Sequence, residues 1–299
     1  MKIFLTGATG YIGQAVGRVL AKGGHEVFGL THSPEKSADL KALGVSAVVG
    51  DIKKPETFRQ QADACEVLVH TAFEYGPEGV AADKTALDAL ISSAKSAKSP
   101  RFLLYTSGVF VLGNQKGAPA EETAAVQPVA AVAWRPAHEQ TALSAAGGAV
   151  SAVVLRPGCV YGGRKGLYAN MISSAVEKHS VQIVGDGSNC WANIYLEDLA
   201  QLYKLIIEKK PQKEIYHATD GGVETLQSAA EAILAAAGGG KVEHWPVEEA
   251  RKKMGPFADA MTIDQRVSSE KAKKQLGWRP AMTSVVKNAP ALVAQWRGK

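Results

Sequence analysis

The sequence of 299 residues contains three cysteines, Cys65, Cys159 and Cys190, and they lie far apart. Their odd number argues against a disulfide framework, and the lack of any Cys-x-x-Cys or Cys/His ligand spacing argues against structural zinc. No apolar run approaches the roughly 20 residues that span a bilayer. No charged, then apolar, then small-residue leader precedes the first apolar segment. We therefore expect an unprocessed cytoplasmic protein with no metal and no membrane partner.

The sequence also lacks a strong excess of charge. The formal net charge is +5, and the basic residues are dispersed in short clusters such as Lys53-Lys54 and Lys209-Lys210. Such clusters are typical of solvated helix faces, so we expect no nucleic-acid partner. The hydrophobic fraction of 46% and the charged fraction of 21% are ordinary for a globular protein, and the length suits one large α/β domain with a small second lobe.

A glycine-rich turn directly follows the first apolar segment. The run Lys2–Thr6 leads into Gly-Ala-Thr-Gly-Tyr-Ile-Gly. A strand followed by glycines at this spacing is typical of a dinucleotide-binding βαβ unit, because the glycines permit the tight turn, the approach of a pyrophosphate and close packing of the helix. The N–H groups at the start of that helix attract phosphates. The residues predicted to contact the cofactor here are Gly7, Thr9, Gly10, Tyr11, Ile12 and Gly13.

Apolar runs alternate with helix-like segments over the first half of the chain. Their near-continuous apolar character predicts a parallel sheet that is covered on both faces. The alternation predicts a Rossmann-type doubly wound α/β fold. The predicted strands are Lys2–Thr6, Glu26–Thr31, Ala47–Val49, Val67–His70, Phe102–Thr106 and Ser151–Arg156, and the predicted helices are Tyr11–Ala21, Pro34–Ala42, Pro55–Gln61 and Val80–Lys98.

The pattern changes after Pro157, where glycine and polar residues become frequent. A helix over Leu196–Lys209 and a strand over Glu214–His217 are expected to return to the main sheet. We therefore predict a dinucleotide-binding core over residues 1–162, completed by about residues 190–220. Residues 163–189 and 221–299 are predicted to form a small substrate-binding lobe.

Several motifs in the right order make the sequence resemble the extended short-chain dehydrogenase/reductase family, a group similar to NAD(P)-dependent epimerases and dehydratases. The motifs are the glycine turn, Gly50-Asp51-Ile52, Val67–Ala72, Tyr105–Gly108, Leu155–Gly162, Gly185–Ala200 and Lys273–Pro280. The resemblance implies a small-molecule substrate, and a monomer or a homodimer. It also implies further cofactor contacts from Asp51, Ile52, Thr71, Ala72, Phe73, Thr106, Pro157, Gly158 and Val160.

The end of the second strand bears on the choice between NAD and NADP. NAD-preferring folds place an acid about 20 residues after the glycines, where it binds the ribose 2′-hydroxyl. This strand ends in Thr31-His32-Ser33-Pro34, without an acid. Thr31, His32 and Ser33 can hydrogen-bond a 2′-phosphate, with Lys36 nearby for charge. We therefore expect NADP(H) to be preferred over NAD(H).

The resemblance also implies a catalytic Ser/Thr and a Tyr-x-x-x-Lys pair on one helix face, but no such pair occurs between residues 107 and 156. The family's tyrosine position falls at Trp134 and its lysine position at His138. Its serine position falls at Gly108, one residue from Ser107. An indole N–H does not exchange protons near neutral pH, whereas a histidine does.

We expect His138, Ser107 and Tyr75 to handle protons and Trp134 to shape the pocket, while Glu139 is expected to be solvated. The main hypothesis is hydride transfer to or from a small apolar carbonyl or activated alkene by an NADP(H)-dependent oxidoreductase. A non-catalytic NADP(H)-binding sensor or interaction protein is the second hypothesis. A sugar-nucleotide epimerase or dehydratase is the third, and the missing tyrosine argues against it.

Overall fold

The computed structural model describes residues 1–298, apart from the side chain of Lys116. None of the helices in this part of the chain combines the length and the apolar character that a membrane crossing requires. The chain divides into two compact units. The first comprises Met1–Ser107, Trp134–Arg156 and Ala200–Tyr216, and the second comprises Gly108–Ala133, Pro157–Leu199 and His217–Lys299.

Strands and α-helices alternate as far as residue 106, and the order is mixed after that. The strands are β1 (Lys2–Thr6), β2 (Glu26–Thr31), β3 (Val45–Val49), β4 (Val67–His70), β5 (Arg101–Thr106), β6 (Gln115–Ala120), β7 (Val150–Pro157), β8 (Cys159–Tyr161), β9 (Ser180–Val184), β10 (Asn193–Tyr195), β11 (Lys213–Ala218), β12 (Lys241–Trp245) and β13 (Gln265–Val267). The helices are α1 (Tyr11–Lys22), α2 (Ser37–Ala42), α3 (Arg59–Asp63), α4 (Gly79–Ser96), α5 (Arg135–Leu143), α6 (Leu167–Lys178), α7 (Leu196–Lys209), α8 (Leu226–Ala237), α9 (Val247–Met254), α10 (Phe257–Met261), α11 (Glu270–Leu276) and α12 (Val285–Arg297).

The first unit is built on a seven-stranded sheet in the order β11-β7-β5-β4-β1-β2-β3. The pairs β1–β2, β1–β4, β2–β3, β4–β5 and β5–β7 are all parallel. The strand order therefore reverses direction between β1 and β4, which creates a crevice at the carboxyl ends of these two strands. Ligands bind at such a switch point in open α/β sheets. The predicted doubly wound fold is confirmed.

The core of the first unit explains why these segments form strands. Residues in β1, β4 and β5 are almost wholly buried, including Phe4, Leu68 and Leu103. They pack in one cluster with apolar residues of α4 such as Leu87 and Leu90. Burying each of these side chains stabilises the folded state by about 1.5–3 kcal/mol. Because both faces of the strands are covered, their sequence is nearly continuous in apolar residues.

The second unit contains three two-stranded parallel pairs, β8–β10, β9–β12 and β6–β13. Helices α6, α8 and α12 contribute Ile172, Ile233 and Leu292 to its buried core, together with Val181 of β9. The six strands of these pairs are short, and each pairs with a segment distant in sequence. Because they are so short, the periodicity of the sequence did not predict these six strands.

Two predicted helices differ in detail from the observed ones. The segment over Pro34–Ala42 begins as a 3₁₀ turn at Pro34–Lys36 and becomes α-helical only at Ser37, and Pro55–Thr57 forms a second 3₁₀ turn before α3. Proline is tolerated in the first turn but lacks the N–H that would extend the helix ladder backwards.

The expectation for Glu139 was wrong. Glu139 is 1% exposed and accepts hydrogen bonds from Nε and Nη2 of Arg156, at 2.9 and 2.6 Å. This buried bidentate ion pair joins α5 to β7 within the first unit, since a buried carboxylate requires a partner that supplies both charge and donors.

Candidate active site

A cavity of about 410 Å³ lies in the first unit at the carboxyl ends of five neighbouring strands, β3, β2, β1, β4 and β5. It occupies the switch point between β1 and β4. The residues that line it are Gly7, Thr9, Gly10, Tyr11, Ile12, Gly13, Leu30, Thr31, His32, Gly50, Asp51, Ile52, Thr71, Ala72, Phe73, Glu74, Tyr75, Thr106, Ser107 and Arg135.

The glycine turn forms the middle of this cavity and leaves no room for side chains. Gly7 has φ +69°, and a Cβ there would lie 2.7 Å from the backbone of Ala72. A Cβ on Gly13 would overlap the carbonyl oxygen of Gly7. The N–H of Gly10 donates to that oxygen at 2.8 Å, and α1 begins at the next residue. The N–H groups of the first turn of α1 therefore form an anion cradle that suits a pyrophosphate.

The end of β2 places Thr31 and His32 in the cavity wall, but not Ser33 and Lys36. Thr31 is buried, and its hydroxyl donates to the carbonyl of Ser33 and accepts from the Ser33 N–H, both at 3.1 Å. Thr31 therefore shapes the turn, while the exposed imidazole of His32 is available to a ligand. The Glu35 carboxylate accepts hydrogen bonds from its own backbone and from Ser33, and these bonds lower its pKa. A carboxylate therefore lies beside Ser33.

The end of β3 contributes Asp51 and Ile52 to the same side of the cavity. Oδ1 of Asp51 accepts from the Lys53 N–H at 2.9 Å, and the Asp51 N–H donates to Oγ1 of Thr57 at 3.0 Å. These bonds close a short turn over the buried Ile52. The sequence prediction of Asp51 and Ile52 as cofactor contacts stays a prediction.

A buried polar cluster lies beside the loop after β4. Asp83 of α4 is 1% exposed and accepts from three side chains. Nδ1 of His138 is 2.7 Å from its Oδ2, Nε2 of His70 is 3.2 Å from its Oδ1, and the Tyr105 hydroxyl donates to Oδ2 at 2.9 Å. Burial by itself would raise the pKa of Asp83, but the hydrogen bonds from His138, His70 and Tyr105 lower it below its ordinary value.

The cluster continues to the cavity wall through Thr6. Oγ1 of Thr6 is 2.7 Å from Nδ1 of His70 and accepts from the Ala72 N–H at 3.4 Å. The Thr71 hydroxyl donates to the Thr6 carbonyl at 2.7 Å. The backbone of Thr71 and Ala72, which forms part of the cavity wall, is therefore held by a hydrogen-bonded network that begins at Asp83.

The end of β5 places Thr106 and Ser107 in the cavity. Thr106 Oγ1 is hydrogen-bonded to the Tyr203 hydroxyl at 2.6 Å. Ser107 is 7% exposed, and within residues 1–298 its hydroxyl has no hydrogen-bond partner. A buried hydroxyl without a partner costs free energy unless a ligand or water completes it. The orphaned Ser107 hydroxyl and the glycine cradle both fit a bound dinucleotide.

Helix α5 begins next to the cavity. Trp134 is its N-cap residue, and the indole stacks on Phe73 with the ring centroids 5.3 Å apart and the planes at 9°. The ring of His138 meets the indole edge-on at 4.8 Å. Trp134 and His138 thus share a helix face but stand behind the cavity wall, which Phe73 and Arg135 form. Tyr75 packs edge-on against Phe73 and is 94% exposed.

The predicted contacts Pro157, Gly158 and Val160 belong to the second unit. The Gly158 N–H donates to the Ala218 carbonyl at 2.9 Å, and a Cβ on Gly158 would overlap the carbonyl oxygen of Ala192. Burial raises the pKa of the neighbouring Cys159 thiol to about 12, so this thiol stays protonated. The burial of this thiol argues against a nucleophilic role for Cys159.

Sequence reasoning missed Arg135 and Asp83. Arg135 is adjacent to the expected tyrosine position. A single basic residue at the start of a helix does not by itself indicate a binding site. Asp83 was detectable, because it stands among Ala82, Ala86 and Leu87 on the apolar face of a predicted helix. A carboxylate on such a face needs partners for its charge.

The fold and the cavity define a dinucleotide-binding α/β protein of Rossmann type. Residues 3–218 match the NAD dependent epimerase/dehydratase family. The chain belongs to this family, and it is a nicotinamide-dependent enzyme of oxidoreductase type.

Relatives agree with this assignment, and a solved structure shares the fold. The chain is 31% identical over 300 residues to an uncharacterized protein of Saccharomyces cerevisiae, with 97% of this chain and 98% of the relative covered. It is 23% identical to a 4-hydroxy-2-methyl-3-oxo-4-farnesyl-3,4-dihydroquinoline-1-oxide ketoreductase of Stigmatella aurantiaca, with 95% and 93% covered. The dTDP-glucose 4,6-dehydratase of Bacillus anthracis in complex with NAD has the same fold, with a TM-score of 0.84, 19% identity, and 100% and 97% covered.

Proposed function

We propose that this protein is an NADP(H)-dependent oxidoreductase that transfers a hydride to or from a small apolar carbonyl or activated alkene without the family's usual tyrosine. The observation that carries the proposal is the β5 end of the cavity. It presents the orphaned Ser107 hydroxyl and the Arg135 guanidinium. Two tyrosines line the cavity: Tyr11 begins α1, and Tyr75 packs on Phe73, the ring that Arg135 also contacts.

The protein's own residues have separable tasks in this proposal. When bound, the cofactor supplies or accepts the hydride. The glycine cradle and the Thr71–Phe73 wall hold the cofactor in place, and orientation of this kind supplies a large part of the rate. Ser107 Oγ donates a hydrogen bond to the substrate oxygen. His138 does not line the cavity, so in this proposal it exchanges the proton with the substrate through an intervening water. Trp134 supports the pocket wall through Phe73, and Tyr75 is an alternative proton donor at the surface.

The choice of NADP(H) rests on the end of β2. The imidazole of His32 lines the cavity where an acid stands in NAD-preferring folds. A histidine can donate a hydrogen bond to a 2′-phosphate and, when protonated, attract its charge. Lys36 and Ser33 of the following turn add donors outside the cavity wall.

The second unit by itself contains a cavity of about 200 Å³ whose lining suits an apolar ligand. Three of the chain's five methionines, Met171, Met254 and Met261, and two of its five tryptophans, Trp191 and Trp245, line it. Among the described residues no Asp, Glu, Lys or Arg lines it. Methionine adapts to irregular apolar groups, whereas a nucleotide diphosphate requires cations.

Two relatives support carbonyl chemistry. One is the quinoline-oxide ketoreductase, and another is a 2-alkyl-3-oxoalkanoate reductase of Stenotrophomonas maltophilia, 26% identical over 261 residues, which cover 81% of this chain and 78% of the relative. Both names describe reduction of a ketone that carries apolar substituents.

The test is a parallel titration with NADPH and NADH, followed by nucleotide fluorescence and thermal shift, and then a consumption assay over carbonyls and enones. A ligand that binds the folded state raises its stability by mass action. Tighter NADPH binding and consumption with an acceptor are expected. Binding without consumption across the panel would instead favour the sensor hypothesis, and turnover of a sugar nucleotide would favour the epimerase hypothesis.

A further inference from the structure

The order of the strands assigns the two ends of the dinucleotide cavity. The glycine cradle after β1 lies in the middle, with His32 and Asp51 at the ends of β2 and β3 on one side and Ser107 at the end of β5 on the other. In this fold the adenosine ribose lies at the end of β2. The proposed cofactor therefore places its nicotinamide half at the β5 end.

Arg135 is the cationic side chain at that end. Its Nη1 donates to the Thr106 carbonyl at 3.3 Å. The guanidinium carbon lies 4.5 Å from the centroid of the Trp134 ring and 5.3 Å from that of Phe73. Contacts with two aromatic rings hold the charged group in place.

The charge of Arg135 has no carboxylate partner within residues 1–298. Guanidinium carries five N–H donors and remains charged at all physiological pH values. A hydrogen-bond acceptor on a ligand would stabilise a half-buried cation of this kind. The Ser107 hydroxyl, 7% exposed and orphaned, lines the same end of the cavity and gives a second, independent indication that a polar ligand completes it.

The sequence of α5, Arg-Pro-Ala-His-Glu-Gln-Thr-Ala-Leu, contains neither tyrosine nor lysine. We propose that Arg135 serves as the cationic anchor for the nicotinamide half of the cofactor, with its guanidinium donating hydrogen bonds to the ribose hydroxyls that a lysine would otherwise hold. The assignment rests on the proposed function, because it requires NADP(H) to occupy the cavity. Arg135 does not transfer a proton in this role, since guanidinium does not deprotonate in proteins.

The experiment compares two ligands that share the adenosine half. NADPH contains the nicotinamide ribose, whereas 2′,5′-ADP does not, and binding of each is measured by calorimetry to the wild type, Arg135→Met and Arg135→Lys. Arg164→Met is the matched control, because Arg164 also lies on a tryptophan ring, that of Trp296, but outside the dinucleotide cavity. Thermal unfolding of each variant reports whether it folds.

Arg135→Met is expected to weaken NADPH about tenfold or more, the usual loss for a hydrogen bond from a charged group, and to leave 2′,5′-ADP within about twofold. Arg135→Lys should recover part of the NADPH affinity. If Arg135→Met does not fold, the comparison of NADPH with 2′,5′-ADP is made on Arg135→Lys instead. Unchanged NADPH binding, or equal losses for both ligands in a folded variant, would overturn the assignment alone. Failure of the wild type to bind either ligand would instead overturn the proposed function as well.

Discussion

Nδ1 of His138 lies 2.7 Å from Oδ2 of Asp83, although 55 residues separate them in the sequence. The lowered pKa of Asp83 keeps its carboxyl ionised, and an ionised carboxylate only accepts hydrogen bonds. The facing nitrogens, Nδ1 of His138 and Nε2 of His70, therefore carry protons. The other ring nitrogen of His70, Nδ1, is hydrogen-bonded to the Thr6 hydroxyl. Nε2 of His138 does not face Asp83, and it is the nitrogen to which the proposed mechanism assigns proton exchange.

Asp83→Asn should lower the free energy of unfolding by about 2 kcal/mol at pH 7, because an amide cannot accept from all three donors that face it. The pKa of Asp83 is lowered by folding, so its contribution is present above its ordinary pKa and is lost as the pH falls below it. Urea unfolding of the variant should therefore show a shallower loss of stability between pH 5 and pH 2.

Asp88→Asn is the matched control for this experiment. Asp88 lies on the same helix but is exposed, and it pairs with Lys84 one turn away. Removal of an exposed i,i+4 pair costs about 0.5 kcal/mol or less. Equal effects of the two substitutions would contradict the role assigned to the buried cluster.

His138→Gln should reduce turnover about 100-fold or more with the best acceptor found, because loss of a general acid or base usually costs this much. Glutamine retains an N–H that can donate to Asp83 but has no group that titrates near neutral pH. NADPH affinity should stay within about twofold of the wild type, since His138 stands behind the cavity wall. A variant with full turnover would remove this histidine from the mechanism.

His32→Asp should weaken NADPH binding by about tenfold or more, because the carboxylate repels the 2′-phosphate, and should leave NADH binding unchanged or tighter. His32 is exposed and lines the cavity, so the substitution does not disturb the core. Fluorescence titration with both nucleotides measures the difference. Equal losses for the two cofactors would show that His32 does not contact the 2′ position.

Asp220→Asn should stabilise the protein above pH 7. Burial raises the pKa of Asp220 to about 7, although the Gly222 N–H and the Tyr161 hydroxyl donate to its oxygens. Glu224 and Asp198 raise that pKa further through their negative charges. Because this pKa is raised on folding, the neutral Asp220 carboxyl costs the folded protein nothing below about pH 4. As the pH rises from about 4 to about 7, ionisation in the unfolded state progressively lowers the free energy of unfolding of the wild type.

The difference in unfolding free energy between Asp220→Asn and the wild type should therefore grow from pH 4 to pH 7, by up to about 4 kcal/mol, and then stay constant. Urea unfolding at four or five pH values measures it. A difference that does not change with pH would show that Asp220 has no raised pKa in the folded protein.

Sequence reasoning predicted the central sheet closely. The bounds of Lys2–Thr6, Glu26–Thr31 and Val67–His70 are the same in prediction and structure. These strands are buried on both faces, so their apolar runs are continuous and end where glycine or polar residues begin. Glu139 was expected in solvent but is buried, because Arg156 of β7 pairs with it. The spacing of residues along a helix gives no information about a partner on a strand.

The sequence by itself determined the dinucleotide cradle and the parallel sheet, because a glycine spacing and an apolar run are local properties of the chain. Only the tertiary structure decided which side chains meet at the site. It placed Arg135 against Phe73 and Thr106, left the Ser107 hydroxyl without a hydrogen-bond partner among residues 1–298, and gathered His70, Tyr105 and His138 around Asp83. These contacts join residues 13 or more positions apart, and their energies depend on burial, which a linear pattern of residue types does not contain.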